Sequence, residues 1–277
     1  MSDSVGVKEF AMAENIRVGA LISGGGTNLQ AILDACESGK IDATMVFVGS
    51  DNPDAYGLKR AQNHRIPTFI VDYKPIILDV RKDPQAVLPP DDFSLDDIVQ
   101  KQFLYDKQSN PEKVRNFFIS RAIAESALLE NMNSFSFDLL VLAGFMRNLT
   151  PYFVDRINTN SSCPRIMNIH PALLPSFPGV DGYGDTFRYG CKAGGCTVHF
   201  IDYGEDSGPI IGQRTFQIEP EDTLDSIKKK GLALEWELYP ECIQLYAGNR
   251  LKTVKKTFQL DSGRPYARTI VEILPVE

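Results

Sequence analysis

An amide and an imidazole that could act on one substrate lie two residues apart in this chain, at Asn168 and His170. The largely apolar run 165–167 precedes them, and Pro171 and Pro175 follow and interrupt regular structure. This order predicts a buried strand that delivers both groups to a loop at its carboxyl end, where open α/β sheets bind ligands. Because side chains alternate between the faces of a strand, Asn168 and His170 should point to the same side.

The same stretch would also fit a core histidine with satisfied hydrogen bonds, so the surrounding elements decide between the two interpretations. Segments of strand and helical periodicity alternate along the chain. Strands are predicted at 17–22, 44–49, 67–71, 137–144, 165–170, 196–202 and 210–213, and the longer helices at 29–36, 110–132 and 221–246. This alternation predicts an α/β fold, a doubly wound, mostly parallel seven-stranded sheet with helices on both faces and an antiparallel edge strand. The loops after the first, fifth and sixth strands should then meet at one edge.

A glycine-rich turn, Ser23-Gly-Gly-Gly-Thr-Asn28, connects the first predicted strand to the first helix. Glycines let a ligand approach the backbone closely, and the free N–H groups at a helix start favour an anion such as phosphate. Thr27 or Asn28 could both cap the helix and donate to the ligand. The turn matches neither G-x-G-x-x-G nor a Walker A loop, so a purely structural turn stays open as the alternative to a phosphate site.

The periodicity divides the chain into a loose leader (1–16), one large domain (17–250) and a C-terminal extension (251–277) with a possible hairpin across 261–264. Within the domain, residues 74–109 are rich in proline and acidic side chains. We expect a surface insertion there, with a short helix between 93 and 105.

Composition excludes several classes of function. The 277 residues are 43% hydrophobic and 23% charged, typical of a globular protein, and the net charge of −7 argues against a general nucleic-acid binder. No apolar run approaches the roughly 20 residues that cross a bilayer, and the acidic first residues do not resemble a secretory signal. Five cysteines without a C-x-x-C pair, and only three histidines, do not predict a zinc site. A cytoplasmic protein with reduced thiols and no bound metal is expected.

Four stretches, in this order, resemble the phosphoribosylglycinamide formyltransferase family: Leu21-Ile-Ser-Gly-Gly-Gly-Thr-Asn-Leu-Gln30, Val141-Leu-Ala-Gly-Phe-Met-Arg147, Met167-Asn-Ile-His-Pro-Ala-Leu-Leu-Pro175, and Thr197-Val-His-Phe200 with Asp206-Ser-Gly-Pro-Ile210. The resemblance implies the formyltransferase fold. It also implies transfer of a formyl group from 10-formyltetrahydrofolate, a co-substrate, to the amine of N1-(5-phosphoribosyl)glycinamide. The products would be formylglycinamide ribonucleotide and tetrahydrofolate, in de novo purine (IMP) biosynthesis.

The resemblance implies a catalytic trio of Asn168, His170 and Asp206. Attack of an amine on a formyl amide creates an oxyanion, to which the Asn168 amide could donate. The imidazole of His170 could move protons between the attacking and leaving nitrogens. A carboxylate at Asp206 would raise the pKa of His170 and orient its ring. His199 also belongs to the family pattern, but its place inside a strand predicts a structural role.

The resemblance further implies two binding regions, with the ribonucleotide held mainly by the half 17–137 and folate binding and catalysis by the half 138–250. Small molecules would be the partners, in a monomer or homodimer. The implied ribonucleotide contacts are Gly26, Thr27, Asn28 and Glu235. The implied folate contacts are Arg115, Met146, Arg147, Asn148, Leu149, Asn168, Asp202, Tyr203, Gly204, Glu205 and Asp206.

Three other functions compete. In a formyltetrahydrofolate deformylase water replaces the amine, but an N-terminal regulatory domain and a different first loop would be expected. A methionyl-tRNA formyltransferase would carry a tRNA-binding domain and more positive charge. A folate- or nucleotide-binding protein that has lost catalysis would not need Asn168, His170 and Asp206 together.

Overall fold

A seven-stranded sheet forms the centre of the computed structural model, which describes residues 15–106, 108–159, 163–261 and 263–275. The strand order is β3-β2-β1-β4-β5-β6-β7. The strands are β1 (Ile16–Ile22), β2 (Ala43–Ser50), β3 (Thr68–Ile70), β4 (Leu139–Leu142), β5 (Ile166–His170), β6 (Ala193–Phe200) and β7 (Ile210–Gln217). The predicted doubly wound, mostly parallel sheet is confirmed. The leader expected at 1–16 lies outside the described residues except for its last two positions.

The direction of β6 determines at which edge of the sheet the following loop begins. The edge strand β7 pairs antiparallel with β6, as predicted, and β6 also pairs antiparallel with β5. In that register Phe200 lies opposite Met167, so the carboxyl end of β6 is beside the amino end of β5. The sixth strand therefore ends at the edge opposite to the first and fifth strands, although the loop that follows it reaches the expected edge through Asp206. The β6–β7 loop (residues 201–209) has to run back along the sheet to reach the ends of the parallel strands.

Eight helices accompany the strands in the described residues: α1 (Thr27–Glu37), α2 (Tyr56–Asn63), α3 (Tyr73–Lys82), α4 (Leu95–Lys101), α5 (Pro111–Met132), α6 (Pro151–Ile157), α7 (Gly182–Arg188) and α8 (Leu224–Ala247). The short helix predicted between 93 and 105 is α4. Helix α3 was not predicted, because Pro75 suggested irregular structure. A proline in the first turn is compatible with a helix, since the N–H groups there have no intrahelical partner. The side chain of Asp72 caps α3 by accepting from Lys74 N.

Apolar side chains fill a layer on each face of the sheet. In β4, Leu139 and Val141 pack into the layer formed with α1 and α8. Leu140 and Leu142 alternate with them and pack into the layer formed with α3, α5 and α6. A strand buried on both faces is apolar throughout, which explains why it was recognisable from sequence.

The remaining elements lie outside this arrangement. Strands β8 (Leu251–Gln259) and β9 (Pro265–Ile273) pair antiparallel in a separate two-stranded sheet, where the sequence predicted a hairpin. A third apolar cluster, centred on Ile98, Phe118 and Tyr152, attaches α4 to α5 and α6. None of the described helices is long and apolar enough to cross a membrane.

Tyr239 of α8 ties the helix to the two strands that lead to the site. Its hydroxyl donates to the carbonyl oxygens of Met167, at 2.8 Å, and Leu142, at 3.2 Å. The ring is fully buried, and burial raises the pKa of Tyr239 far above its ordinary range. The hydroxyl therefore remains a donor at any physiological pH.

We expect Tyr239→Phe to lower the free energy of unfolding by about 1–3 kcal/mol, because it leaves buried carbonyl oxygens without their donor. Urea denaturation measures the change as a lower midpoint at an unchanged slope. Tyr56→Phe, at a tyrosine that is 56% exposed, is the control. An equal loss in the two variants would show that the buried hydrogen bonds contribute nothing.

Candidate active site

A cavity of about 480 Å³ opens at the carboxyl ends of β4 and β5. Its walls come from the loop after β4 (145–149), from residues 179–183, from 204–206 in the β6–β7 loop, and from α8. Asn168 and His170 both line it, together with Ile169 between them. The cavity thus collects loops that lie far apart in the sequence around the amide and the imidazole.

The His170 ring is held by acceptors on both nitrogens. Its Nδ1 lies 3.1 Å from Oδ2 of Asp206, and its Nε2 lies 2.8 Å from the carbonyl oxygen of Phe177. Burial of the ring opposes protonation, but the hydrogen bond and charge of Asp206, with the Phe177 carbonyl, outweigh it and raise the pKa of His170. Two acceptors and one anion favour the imidazolium form, in which both nitrogens carry a proton.

Asp206 is surrounded by donors. Oδ2 accepts the backbone N–H of Gly179 at 2.8 Å as well as the His170 contact, and Oδ1 lies 3.6 Å from Nε2 of His199. Burial alone would raise the pKa of Asp206, yet the hydrogen bond and charge of His170, together with the Gly179 N–H, hold that pKa well below its ordinary value. The Asp206 side chain is only 12% exposed, so an ionised carboxylate is buried beside the His170 imidazole.

Two of the residues that contact the His170 ring have left-handed backbone conformations. Phe177 has a φ of 55° and Asp206 a φ of 49°. Such angles are uncommon for residues other than glycine and cost of order 1 kcal/mol or more each. The surrounding structure therefore holds the Phe177 carbonyl and the Asp206 carboxylate at the ring against a local preference.

His199 orients the amide of Asn168. The carbonyl of Phe200, 3.0 Å from Nδ1 of His199, can only accept, so this nitrogen carries a proton. In the neutral ring, Nε2 is then an acceptor for the Asn168 amide nitrogen, 3.1 Å away. One N–H of Asn168 is fixed in this way and the other remains for a ligand. Sequence analysis predicted a structural role for His199, and its contact with Asn168 was not foreseen.

A second buried carboxylate, Glu235 of α8, lies on another wall of the cavity. Oε2 accepts from the Asn28 amide and Oε1 from the Tyr183 hydroxyl, both at 2.6 Å. Burial raises the pKa of Glu235 in spite of these two donors. Asn28 Oδ1 is buried and has no hydrogen-bond partner among the described residues. Tyr183 was missed in the sequence, where a tyrosine between two glycines gives no signal of a buried site.

The glycine turn adopts a shape that glycine makes possible. Gly26 has a φ of 69°, and a Cβ there would come within 2.7 Å of the Gly57 Cα. Gly26 is the cap of α1 and no side chain caps the helix, so the predicted capping by Thr27 or Asn28 is wrong. Asn28 lines the cavity, whereas Thr27 lines a neighbouring groove with Trp236. No acidic residue occupies the first turn of α1, which suits an anion.

The predicted folate contacts divide into two groups. Met146, Arg147, Asn148, Leu149, Asn168, Gly204, Glu205 and Asp206 all line the cavity. Arg115, Asp202 and Tyr203 do not. Arg115 donates to the Pro84 carbonyl in the insertion, and Asp202 holds the β6–β7 loop by accepting from Gly204 N and Ser207 Oγ. The arginine of α5 that lines the cavity is Arg121, two turns further along the helix.

Two of the residues that line this cavity are arginines, Arg121 and Arg147. Arg147 Nε lies 2.5 Å from Oδ2 of Asp51, a buried carboxylate. Arg121 is buried against the rings of Tyr73 and Phe117, and its Nε and Nη1 have no hydrogen-bond partner in the part of the chain that the structure describes. Unpaired guanidinium nitrogens near a cavity suit an anionic ligand group. In the described ranges, no cluster of three or more His, Cys, Asp or Glu side chains could hold a metal ion.

Comparison with known proteins gives a consistent result. Residues 16–243 match the Formyl transferase family. A phosphoribosylglycinamide formyltransferase of Haemophilus influenzae is 32% identical over 88% of this chain and 93% of its own length. The enzyme of the same name from Escherichia coli is 31% identical over the same shares.

Solved structures agree with the sequence relatives. A glycinamide ribonucleotide transformylase from Symbiobacterium toebii superimposes with a TM-score of 0.68, at 33% identity, over 98% of this chain and 100% of its own. A phosphoribosylglycinamide formyltransferase from Coxiella burnetii gives 0.66 at 33% identity, over 91% and 96% of the two chains.

The His170–Asp206 pair should make stability depend on pH in a defined direction. Because the pKa of His170 is raised on folding, its contribution is complete below the ordinary value of 6.5 and is lost as pH rises through the folded value. The lowered pKa of Asp206 gives a contribution that is present above 3.8 and is lost as pH falls through the folded value. We therefore expect Asp206→Asn to cost on the order of 1–3 kcal/mol of unfolding free energy near about pH 5.5, and less above about pH 8.

Urea denaturation of wild type and Asp206→Asn over this pH range measures the difference. Asp54→Asn, on an exposed turn, is the control and should keep the wild-type pH dependence. A difference between wild type and Asp206→Asn that stays constant from about pH 5 to 9 would contradict an ion pair at this site.

Proposed function

This chain belongs to the formyl transferase family, and we propose that it transfers the formyl group of 10-formyltetrahydrofolate to the amine of N1-(5-phosphoribosyl)glycinamide. The products are formylglycinamide ribonucleotide and tetrahydrofolate, an early step of purine biosynthesis. The observation that carries the proposal is the arrangement of Asn168, His170 and Asp206 at one cavity. The five cysteines are free thiols, which supports a reducing compartment such as the cytoplasm.

The chemistry needs a proton shuttle and an oxyanion donor. The amine nitrogen attacks the formyl carbon, and the carbonyl electrons move to oxygen to give a tetrahedral intermediate. The bond from that carbon to N10 of the folate then breaks as N10 receives a proton, and the former amine loses one. The nucleophile belongs to the substrate, so the protein supplies no covalent nucleophile.

The three side chains fit these needs. Asn168, fixed by His199 through one N–H, has its second N–H for the developing oxyanion. His170, protonated because of Asp206, gives its proton to N10 and then takes the one that the amine loses. Asp206 keeps the ring charged and fixes its Nδ1 side, which leaves Nε2 as the nitrogen that exchanges protons.

The contact between Nε2 of His170 and the Phe177 carbonyl bears on this step. A proton cannot leave toward a carbonyl oxygen, so Nε2 has to exchange Phe177 for the substrate, or act through one water. Phe177 has a positive φ, and opening this contact could relieve that strain. Substrate binding and activation of the histidine would then be linked through the 175–181 loop.

The two substrates fit opposite ends of the cavity. We assign the ribonucleotide to the end formed by Asn28, Tyr183 and Glu235, next to the start of α1. Its phosphate would lie at the N–H groups of the glycine turn, and its amine near the Glu235 carboxylate. The folate would lie between residues 146–149 and 204–206, with its own carboxylates toward Arg121 and Arg147. The formyl group then falls between the two, at Asn168 and His170.

Mixing the protein with both substrates should release tetrahydrofolate at a rate that depends on the ribonucleotide. His170→Ala should lower kcat by about 10²- to 10⁴-fold and Asn168→Ala by about 10²- to 10³-fold, since each removes a group needed in the transition state. His64→Ala, at a histidine that ends α2 and bonds to Glu37, is the control and should keep kcat. Tetrahydrofolate release without ribonucleotide would favour a hydrolase, and near-normal turnover in a folded His170→Ala would refute the assigned role.

Replacement of Glu235 should separate the two substrates. Glu235→Gln keeps the size of the side chain and one of its two acceptor oxygens, and it removes the negative charge proposed to receive the amine. We expect KM for the ribonucleotide to rise about tenfold or more, with KM for the folate little changed. Glu237→Gln, at an exposed position on the same helix, is the matched control. Equal increases in both KM values would place Glu235 outside the ribonucleotide end.

A further inference from the structure

The β6–β7 loop carries Asp206 to His170, which lies at the carboxyl end of β5. It begins at the opposite edge of the sheet, because β6 ends beside the amino end of β5. Its internal bonds are few: Asp202 Oδ1 accepts from Gly204 N at 3.1 Å and from Ser207 Oγ at 2.6 Å. Asp206 itself has a positive φ, a conformation that the isolated loop would disfavour. Contacts from outside the loop must therefore hold it in place.

The insertion supplies a backbone contact to this loop. Residues 91–105, which we call the buttress, end in an extended stretch where Phe103 N donates to the Tyr203 carbonyl oxygen at 2.9 Å. The Phe103 side chain begins directly beside Gly204, since a Cβ on that glycine would lie 3.4 Å from the Phe103 Cβ. Tyr203 and Gly204 precede Asp206 by three and two residues, so this contact restrains the approach to the catalytic carboxylate.

A side-chain relay makes a second contact. The Tyr203 hydroxyl donates to Asp155 Oδ1 of α6 at 2.5 Å, and Lys101 Nζ of the buttress donates to Asp155 Oδ2 at 2.8 Å. Lys101 also pairs with Asp97, one turn earlier on α4, at 2.9 Å. Burial, followed by the bond to Asp155, raises the pKa of Tyr203 to about 12, so its hydroxyl stays a donor at neutral pH. The loop, α6 and the buttress thus meet at one carboxylate.

The buttress is itself anchored to the domain. Ile98 is buried in the third apolar cluster with Phe118 and Tyr152. The turn after α4 is closed by Gln102, whose Oε1 accepts from Leu104 N at 2.7 Å and from Tyr105 N at 2.8 Å. Because it has a buried apolar residue and a hydrogen-bonded turn, the buttress can hold the β6–β7 loop in place, which a mobile surface loop could not do.

We propose that the buttress is a positioning device for catalysis, which holds the β6–β7 loop so that Asp206 stays on His170 and Gly204–Asp206 keep the folate wall in shape. This inference rests on the proposed function. It assigns a positioning role to an insertion whose residues take no part in the reaction itself. Lys101, Asp155 and Tyr203 are positioning residues, because none of them lines the cavity. Loosening them should affect the folate end and the histidine, and leave the ribonucleotide end intact.

Steady-state kinetics of Tyr203→Phe and Lys101→Met in the full chain tests this. Each variant should raise KM for the formyl folate about three- to tenfold, with KM for the ribonucleotide within about twofold of wild type. The alkaline limb of kcat should shift to lower pH, because a less firmly held Asp206 stabilises the imidazolium less. The double variant should show less than the combined effect of the two, since both changes act through Asp155.

Lys82→Met, at an exposed lysine of the same insertion outside the buttress, is the matched control and should behave as wild type. Asp155→Asn, which keeps an acceptor for Tyr203 but loses the charge that holds Lys101, should resemble Lys101→Met. If the variants lose thermal stability while folate KM and the pH profile stay at wild-type values, the buttress is merely structural and the inference is overturned. Absence of turnover in wild type would instead refute the proposed function.

Discussion

The Asp206 carboxylate and the His170 imidazole lie together in a largely buried place, and the loops around them supply the hydrogen bonds that stabilise the pair. Removing two ions from water costs several kcal/mol each unless their geometry and hydrogen bonds compensate. Asp206 Oδ2 accepts from the Gly179 N–H and faces Nδ1 of His170, while Nε2 of His170 faces the Phe177 carbonyl oxygen. The residues around the pair accept unfavourable φ angles to provide these contacts. The pair therefore determines the shapes of two loops that are distant in the sequence.

The reversed direction of β6 serves the same site. The connection from β5 to β6, residues 171–192, contains α7 and is long enough for a parallel crossover, so its length does not set the direction of β6. Running β6 antiparallel to β5 places His199 directly opposite Asn168, where its ring can fix the amide. The cost is that the following loop starts at the far end of the sheet. The backbone bond from Phe103 and the relay through Asp155 compensate for that cost by bracing the loop on its outer side.

Elements could be predicted from the sequence where local pattern and global structure agree. The apolar strands and their order in the chain could be predicted because strands buried on both faces contain little else, and Asn168 and His170 follow from period-two alternation. The direction of β6 could not be deduced, since an antiparallel and a parallel strand have the same periodicity. Helix α3 was hidden by Pro75, and Tyr183 lay in a glycine-rich stretch that predicts a loop. Arg115 and Arg121 lie six residues apart on one helix, and only the packing of α5 against Tyr73 distinguishes them.

Asp206 and Glu235 are two buried carboxyl groups of one cavity whose pKa values are shifted in opposite directions. Burial by itself would raise the pKa of both. At Asp206 the hydrogen bond and charge of His170, with the Gly179 N–H, reverse that effect, so the carboxylate stays ionised. Glu235 accepts hydrogen bonds from two neutral donors, Asn28 and Tyr183; these and the more distant His170 do not offset burial, and the pKa of Glu235 stays raised. Pairs of carboxylates with opposed environments mark sites where protons are handled.

A carboxylate whose charge is only weakly compensated attracts a cationic or proton-bearing group more strongly than one already neutralised by an imidazolium. An incoming amine would therefore be drawn to the Glu235 end, while the ionised Asp206 is committed to the histidine.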